Sequence, residues 1–358
     1  MEKFHQIKSI YEMGTKERIE WIDIAKGIGI ILVIAGHTIS LTHSYPIYAF
    51  HMPLFFFLSG LVAKEKVYSF IEYAGIKAKQ LLKPWAIIDT ISFAVCLMIP
   101  EWRYNLSIHQ IILDFYTSNT NNIQNSSLWY LVCFYMVLLI YFFLNKRRKG
   151  MVSNAFLIII AVFSLWLPEA LSFFSRNIVH LPSARLPFKI DTALVAVVFY
   201  AVASWNKKKI IEILSKKLNL SIVIIIVLLG VVAIYTNGSS NLNSLEFGNY
   251  RLLFYPIAFM GIISTCVLSH WISINGIDKI QNVLKFYGKN SLLIFGFQSL
   301  LIRLYILIFN NIEGLEMQLY MDNPMKHQIG SFLMVTFIFS PMVVFFFQFL
   351  RKKNLKIL

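Results

Sequence analysis

The chain has 358 residues, 57% of them hydrophobic and only 14% charged, with a formal net charge of +15 and a mean hydropathy of +0.64. A water-soluble domain carries about a quarter charged residues, so that class is excluded and an all-α integral membrane protein is expected. No stretch remains for a folded soluble domain, which removes nucleic-acid binding as an account of the positive charge.

Apolar runs near the 20-residue length that crosses a bilayer predict about ten transmembrane helices, at roughly 21–40, 46–63, 84–100, 128–144, 151–172, 190–205, 218–236, 251–271, 290–309 and 327–349. The third and sixth are short, so they tilt less or extend into flanking residues. Basic residues fall in alternate connections: Lys3 to Arg18, Lys64 to Lys83, Lys146 to Lys149, Lys207 to Lys217, Lys279 to Lys289, and Arg351 to Lys356. By the positive-inside rule both termini are cytoplasmic, and the basic residues are also drawn to anionic lipid. The expected organisation is one membrane-embedded domain: a cytoplasmic N-terminal segment 1–20, a helical bundle 21–349 and a cytoplasmic tail 350–358. The polar first 20 residues contain no apolar run before a small-residue cleavage site, so no removable signal peptide is expected. Cys96, Cys133 and Cys266 all fall in predicted spans and suggest neither a disulfide framework nor a metal site.

The first span carries Asp23, Lys26 and His37. Ionisable residues inside a bilayer mark functional sites. Lys26 and His37 are 11 residues apart, which places them roughly 20° apart around the axis and about 16 Å apart along it. Asp23 lies within roughly 60° of Lys26 and is its i,i+3 partner. Lys26 is either a snorkelling lysine or a cationic contact for an anionic cofactor entering from the cytoplasm. His37 is expected about one turn below the outer end of its helix and His51 one to two turns below the outer end of the second. The link between the two spans is short, so these helices pack as antiparallel neighbours with two imidazoles at similar depth. Histidine suits general-base work near neutral pH. His51 is alternatively an interfacial histidine beside Tyr48.

After the second span comes a loop, Lys64 to Lys83, in which Lys77, Lys79 and Lys83 stand against the membrane before Pro84. They are expected either to retain the loop inside or to hold phosphates as point charges. Asp89 is expected one to two turns into the third span. The outer connection 101–127 is rich in Asn, Ser and Thr and suits the entrance for a polar substrate. Trp129 and Tyr130 open the fourth span, where an aromatic belt or a sugar-stacking surface accounts for them. Asp191 opens the sixth span beside Lys189, and Gln298 and Arg303 face an interior surface of the ninth.

The run Trp21-Ile-Asp23-Ile-Ala-Lys26-Gly27 through Gly36-His37, followed by Phe50-His51-Met-Pro53-Leu-Phe-Phe-Phe-Leu-Ser59-Gly60, resembles the signature of acyltransferase family 3. It looks closest to the branch grouped with fucose O-acetylases. Leu128-Trp129-Tyr130-Leu131, Pro187-Phe-Lys-Ile-Asp191-Thr192-Ala193-Leu194 and Gly288-Lys289-Asn290-Ser291 continue the resemblance over essentially the whole chain. It implies a ten-helix plasma-membrane enzyme that takes an acyl group, usually acetyl, from cytoplasmic acyl-coenzyme A and passes it to a hydroxyl of a glycan or other acceptor outside. The family's first-helix base falls on Lys26 and its essential histidine on His37. Its Arg-x-x-Arg pair is only approximated by Lys77, Lys79 and Lys83, with Gln80 where the second base is expected. Its ninth-helix histidine is replaced by Phe297-Gln298.

Together these readings give His37 as base, His51 as orienting or relay partner and Asp23 as partner of Lys26. Lys26, Lys77, Lys79, Lys83 and Ser59 lie on the coenzyme A side, and Trp129, Tyr130 and Asp191 on the acceptor side. No metal is expected. The competing readings are a non-catalytic glycan or lipid transporter of the cell envelope and a membrane anchor for a glycan-synthesis complex. Acceptor identity and oligomeric state stay open.

Overall fold

Lipid offers no hydrogen bonds to a backbone, so a chain of this composition must satisfy its amides internally. A computed structural model describes residues 19–39, 46–64, 67–99, 125–146, 151–177, 184–214, 216–313 and 326–353, and nearly all of them are helical. In chain order the helices are α1 (Glu20–Thr38), α2 (His51–Leu61), α3 (Phe70–Met98), α4 (Trp129–Lys146), α5 (Met151–Asn177), α6 (Ile190–Trp205), α7 (Lys207–Leu214), α8 (Leu220–Asn237), α9 (Phe254–Asn275), α10 (Asp278–Lys289), α11 (Ser291–Glu313), α12 (Lys326–Met334) and α13 (Ser340–Lys352). A π-helical turn, Val335–Phe339, joins α12 to α13 without a break. Among the described residues, nine helical segments are long and apolar enough to cross a membrane. The shorter Pro46–Leu61 occupies the place of the second expected span. A short hairpin of two-residue strands, β1 (Ser240–Asn241) with β2 (Glu246–Phe247), interrupts the helical pattern between α8 and α9.

Three expectations are corrected. The lysines 77, 79 and 83 are not in a loop: α3 starts at Phe70, capped by the Ser69 hydroxyl, which accepts from the Glu72 amide at 3.3 Å. It then runs straight through Pro84 for 29 residues. Proline punctuates many helices, but it removes only one backbone donor, and the helix continues on both sides of it. The second span has an interrupted start, turning at Ala49 and Phe50 before the continuous helix begins at His51. Lys279, Lys285 and Lys289 lie on the amphipathic helix α10 rather than in a plain connection. The basic residues up to Arg18, the outer connection 101–124, Arg147 to Lys149 and the tail from Asn354 lie outside the described residues.

Helix α1 is central. It packs against α2, α9, α10, α11 and α12, and 13 of its 19 residues are buried. The crossing with α10 is a backbone-to-backbone contact. A Cβ on Gly27 would lie 2.1 Å from the Leu284 carbonyl oxygen, and one on Gly288 would lie 1.9 Å from the Asp23 carbonyl oxygen. Only glycine permits that approach. The glycines of two motifs 261 positions apart in the sequence thus meet at one crossing. Helix α2 packs on α6 and α9, α6 on α4 and α5, α3 on α4 and α11, and α8 on α9.

Candidate active site

The stripe of α1 begins at the α10 crossing. Asp23 is 4% exposed, and Lys26, one turn on, is partly buried. Both side chains are engaged. Lys285 of α10 pairs with Glu20 at 3.3 Å, adding a second basic group to this end of the helix.

At the other end of α1, His37 Nδ1 donates to the Val33 carbonyl at 2.9 Å. His51 Nδ1 donates in the same way to the Ile47 carbonyl at 2.7 Å. A carbonyl oxygen can only accept, so each neutral ring has its proton on Nδ1 and its lone pair on Nε2. Nε2 is the atom a general base needs. The Tyr48 ring lies between the imidazoles, with centroids 6.1 Å from His37 and 5.2 Å from His51. Its hydroxyl donates to the Gly36 carbonyl at 2.8 Å, tying the second segment to the first. His51 is 1% exposed. It is buried within the bundle, beside Tyr48.

The remaining acceptor-side residues gather on α4 and α6. Trp129 and Tyr130 are buried, so they form part of the bundle interior rather than a lipid-facing belt. Tyr130 packs on Phe56, Phe134 and Phe295. Asp191 is fully buried. Its carboxylate accepts from Arg185 Nε at 2.5 Å and Nη2 at 3.3 Å. It also accepts from the Leu186 amide at 3.2 Å and the Thr192 amide at 2.7 Å. These bonds close a tight turn in which Phe188 and Lys189 are left-handed, with φ of 53° and 58°. Lys189, 4% exposed, is buried beside this pair. Lys189 was read in the sequence as the neighbour of Asp191, but Arg185 only as a base in a connection otherwise poor in Lys and Arg. The signal that linked them to the site was their position around Asp191.

The three lysines of α3 divide. Lys79 and Lys83 are exposed and share a face, four residues apart. Lys77 instead lies over the Tyr73 ring at 5.6 Å and donates to Gln80 Oε1 at 3.1 Å. Asp89 is partly buried within α3. Gln298 is fully buried, and the Arg303 guanidinium reaches Cys96 Sγ at 3.6 Å, so both face the interior as expected. Asn125 and Ser127 were read in the sequence only as part of the polar outer connection, with no partners assigned. The end of the Asn/Ser-rich connection packs into the bundle, with Asn125 donating to the Gly296 carbonyl at 2.6 Å and Ser127 bonded to Ser299 at 2.9 Å. Their signal was a polar run directly before an apolar span. Among the described residues, no three His, Cys, Asp or Glu side chains are grouped to hold a metal ion. Cys96, Cys133 and Cys266 are free and buried.

The fold and this arrangement define a multi-helix membrane protein with basic groups at one end of a central helix and paired imidazoles at the other. The family described as an acyltransferase domain, acyltransferase family 3, matches residues 19–351, and the chain belongs to it. Nodulation protein NolL of Sinorhizobium fredii is 37% identical over 99 residues, a match covering 23% of this chain and 27% of that protein. The match thus spans about a quarter of that curated relative's length. No solved structure matches the chain.

Proposed function

We propose that this membrane acyltransferase is a plasma-membrane O-acetyltransferase. It takes acetyl from cytoplasmic acetyl-coenzyme A and places it on a hydroxyl of an exported or cell-surface glycan. The observation that supports this most directly is the fixed Nδ1–H of His37, which presents Nε2 as a base on the helix that carries Lys26 at its other end. Both chain termini, Lys26 and the Phe70 end of α3 face the cytoplasm in this reading, and His37 and His51 lie toward the outer side.

The proposed step is direct transfer. The acceptor hydroxyl gives its proton to His37 Nε2 as its oxygen attacks the thioester carbonyl carbon. The carbon–oxygen bond forms, the carbon–sulfur bond breaks, and the proton passes from the imidazolium to the departing thiolate. His51 and Tyr48 hold His37 and its surroundings in place. Lys26 with its partner Asp23, together with Lys79 and Lys83, meets the phosphates, with Lys77 supporting α3 and Ser59 lying on the coenzyme A side. Trp129 and Tyr130 form the acceptor wall, and Asp191 acts by holding Arg185 and Lys189.

The test uses membranes containing the full chain, given acetyl-coenzyme A labelled in the acetyl group and a glycan acceptor. Label should appear in the glycan as an alkali-labile ester, with one coenzyme A released per ester. Glycan crossing the membrane with no consumption of acetyl-coenzyme A would instead make the protein a transporter.

A further inference from the structure

Helix α10 has two faces with different neighbours. One carries Leu284 and Gly288 and meets the backbone of α1. The opposite side of the helix carries Lys279, Val283 and Phe286 along successive turns. This second face is one wall of an open cleft of about 670 Å³. The facing wall is Phe337 of the π turn with Pro341 and Phe345 of α13, each four residues after the last. The walls meet where the Phe286 and Phe345 rings pack at 5.8 Å. They meet again where Tyr287 donates to the Thr336 carbonyl. A π turn is a distortion common at functional sites, and here it supplies both Phe337 and the carbonyl that fixes Tyr287.

The lining of this cleft is apolar apart from Lys279, Asn282 and the Tyr287 hydroxyl. Among the described residues no carboxylate lines it, so its charge is positive. Its volume falls in the range of about 300–1,000 Å³ usual for small-molecule sites. Val283, Phe337 and Phe345 are exposed, so in a bilayer the cleft opens to hydrocarbon. Helix α10 lies between the span that ends at Asn275 and the one that begins at Ser291, which places it at a membrane boundary. An occupant that fits is amphipathic, with hydrocarbon against the phenylalanines and a negative group at the ammonium. That is the chemistry of an anionic phospholipid, whose headgroups are bound by basic pockets between membrane helices. A soluble anion would leave the aromatic wall unfilled, and a neutral lipid would leave Lys279 without a counter-charge.

We propose that the cleft between α10 and α13 is a binding site for one anionic phospholipid. Its phosphate meets Lys279 and Asn282, and an acyl chain lies along Val283, Phe286, Phe337 and Phe345. The other face of α10 crosses α1 beside Asp23, so the bound lipid braces the helix that carries the candidate active site. The site is independent of the acyl donor and acceptor.

The test counts lipid retained by the full chain in neutral detergent, by native mass spectrometry, across titrations of phosphatidylglycerol and of phosphatidylcholine with the same acyl chains. Wild type should bind one phosphatidylglycerol about fivefold or more tighter than phosphatidylcholine, the preference that one basic group confers. Lys279→Glu should abolish that preference. Val283→Trp, which fills the cleft from an exposed position, should weaken both lipids. Lys352→Glu, at an exposed lysine outside the cleft, should change neither. Glycerophosphoglycerol, the headgroup without chains, should not compete. Equal retention of the two lipids by wild type overturns the proposal, and so does wild-type lipid binding by Val283→Trp. Equal losses in Lys352→Glu and Lys279→Glu make the attraction a property of the whole basic surface and overturn the site. Competition by glycerophosphoglycerol makes it a site for soluble anions and likewise overturns it.

Discussion

Helices α1 and α8 have nearly the same length and opposite fates. In α1, 13 of 19 residues are buried; in α8, only Val223, Gly230, Ile234 and Asn237 of 18 are. Yet α8 is the more uniformly apolar, with Ile222, Ile224, Ile225, Leu228 and Leu229 on its exposed surface. In water the apolar helix would sit at the centre. In lipid the order reverses, because hydrocarbon solvates leucine as well as protein does. Asp23, Lys26 and His37 instead need a protein interior. Glycine tells the same story, crowded by α10 backbone at Gly27 and, in α8, by the Ser264 hydroxyl of α9 at Gly230.

This contrast can be broken by substitution. The largest effect is expected at the α1–α10 crossing. Gly27→Val and Gly288→Val each force two backbones apart, at a cost of about 1–3 kcal/mol or more for overpacking. Membrane level should fall sharply in a quantitative immunoblot. Next is Asp191→Ala, which strips Arg185 and the left-handed turn of their acceptor. Removing one partner of a buried pair leaves the other charge uncompensated, an effect lessened here because Arg185 is 20% exposed. Thermal unfolding in detergent should shift down, and Arg185→Ala should shift it less. A smaller effect is expected from Lys79→Glu with Lys83→Glu. Membrane level should hold while KM for acetyl-coenzyme A rises several-fold; a loss of insertion with unchanged KM would make these lysines topological. The smallest belongs to α8, where Leu228→Ile should fall within about 0.5 kcal/mol, as surface substitutions do.

Much of this contrast was legible in the sequence because span length and ionisable residues are both local signals. The stripe Asp23–Lys26–His37 needed only helical periodicity. The short link at 41–45 was enough to pair His37 with His51. What periodicity could not reach depended on contacts distant in sequence. Gly27 and Gly288 read as two unrelated motif glycines until their helices crossed. Asn125 looked like loop because its partners, Ser92 and Gly296, lie on other helices. The start of α3 was missed for a local reason: Pro84 resembles a helix boundary, whereas the helix passes through it.

The central claim is that His37 is the base, and the direct measurement is acetyl transfer by His37→Ala in membranes, normalised to protein level, with coenzyme A binding measured on the same preparation. General-base catalysis contributes about 10²–10⁴-fold. The expected result is a loss of that size with protein level and coenzyme A affinity preserved. Transfer within about twofold of wild type, far below that range, would contradict the account and leave His37 as a packing residue.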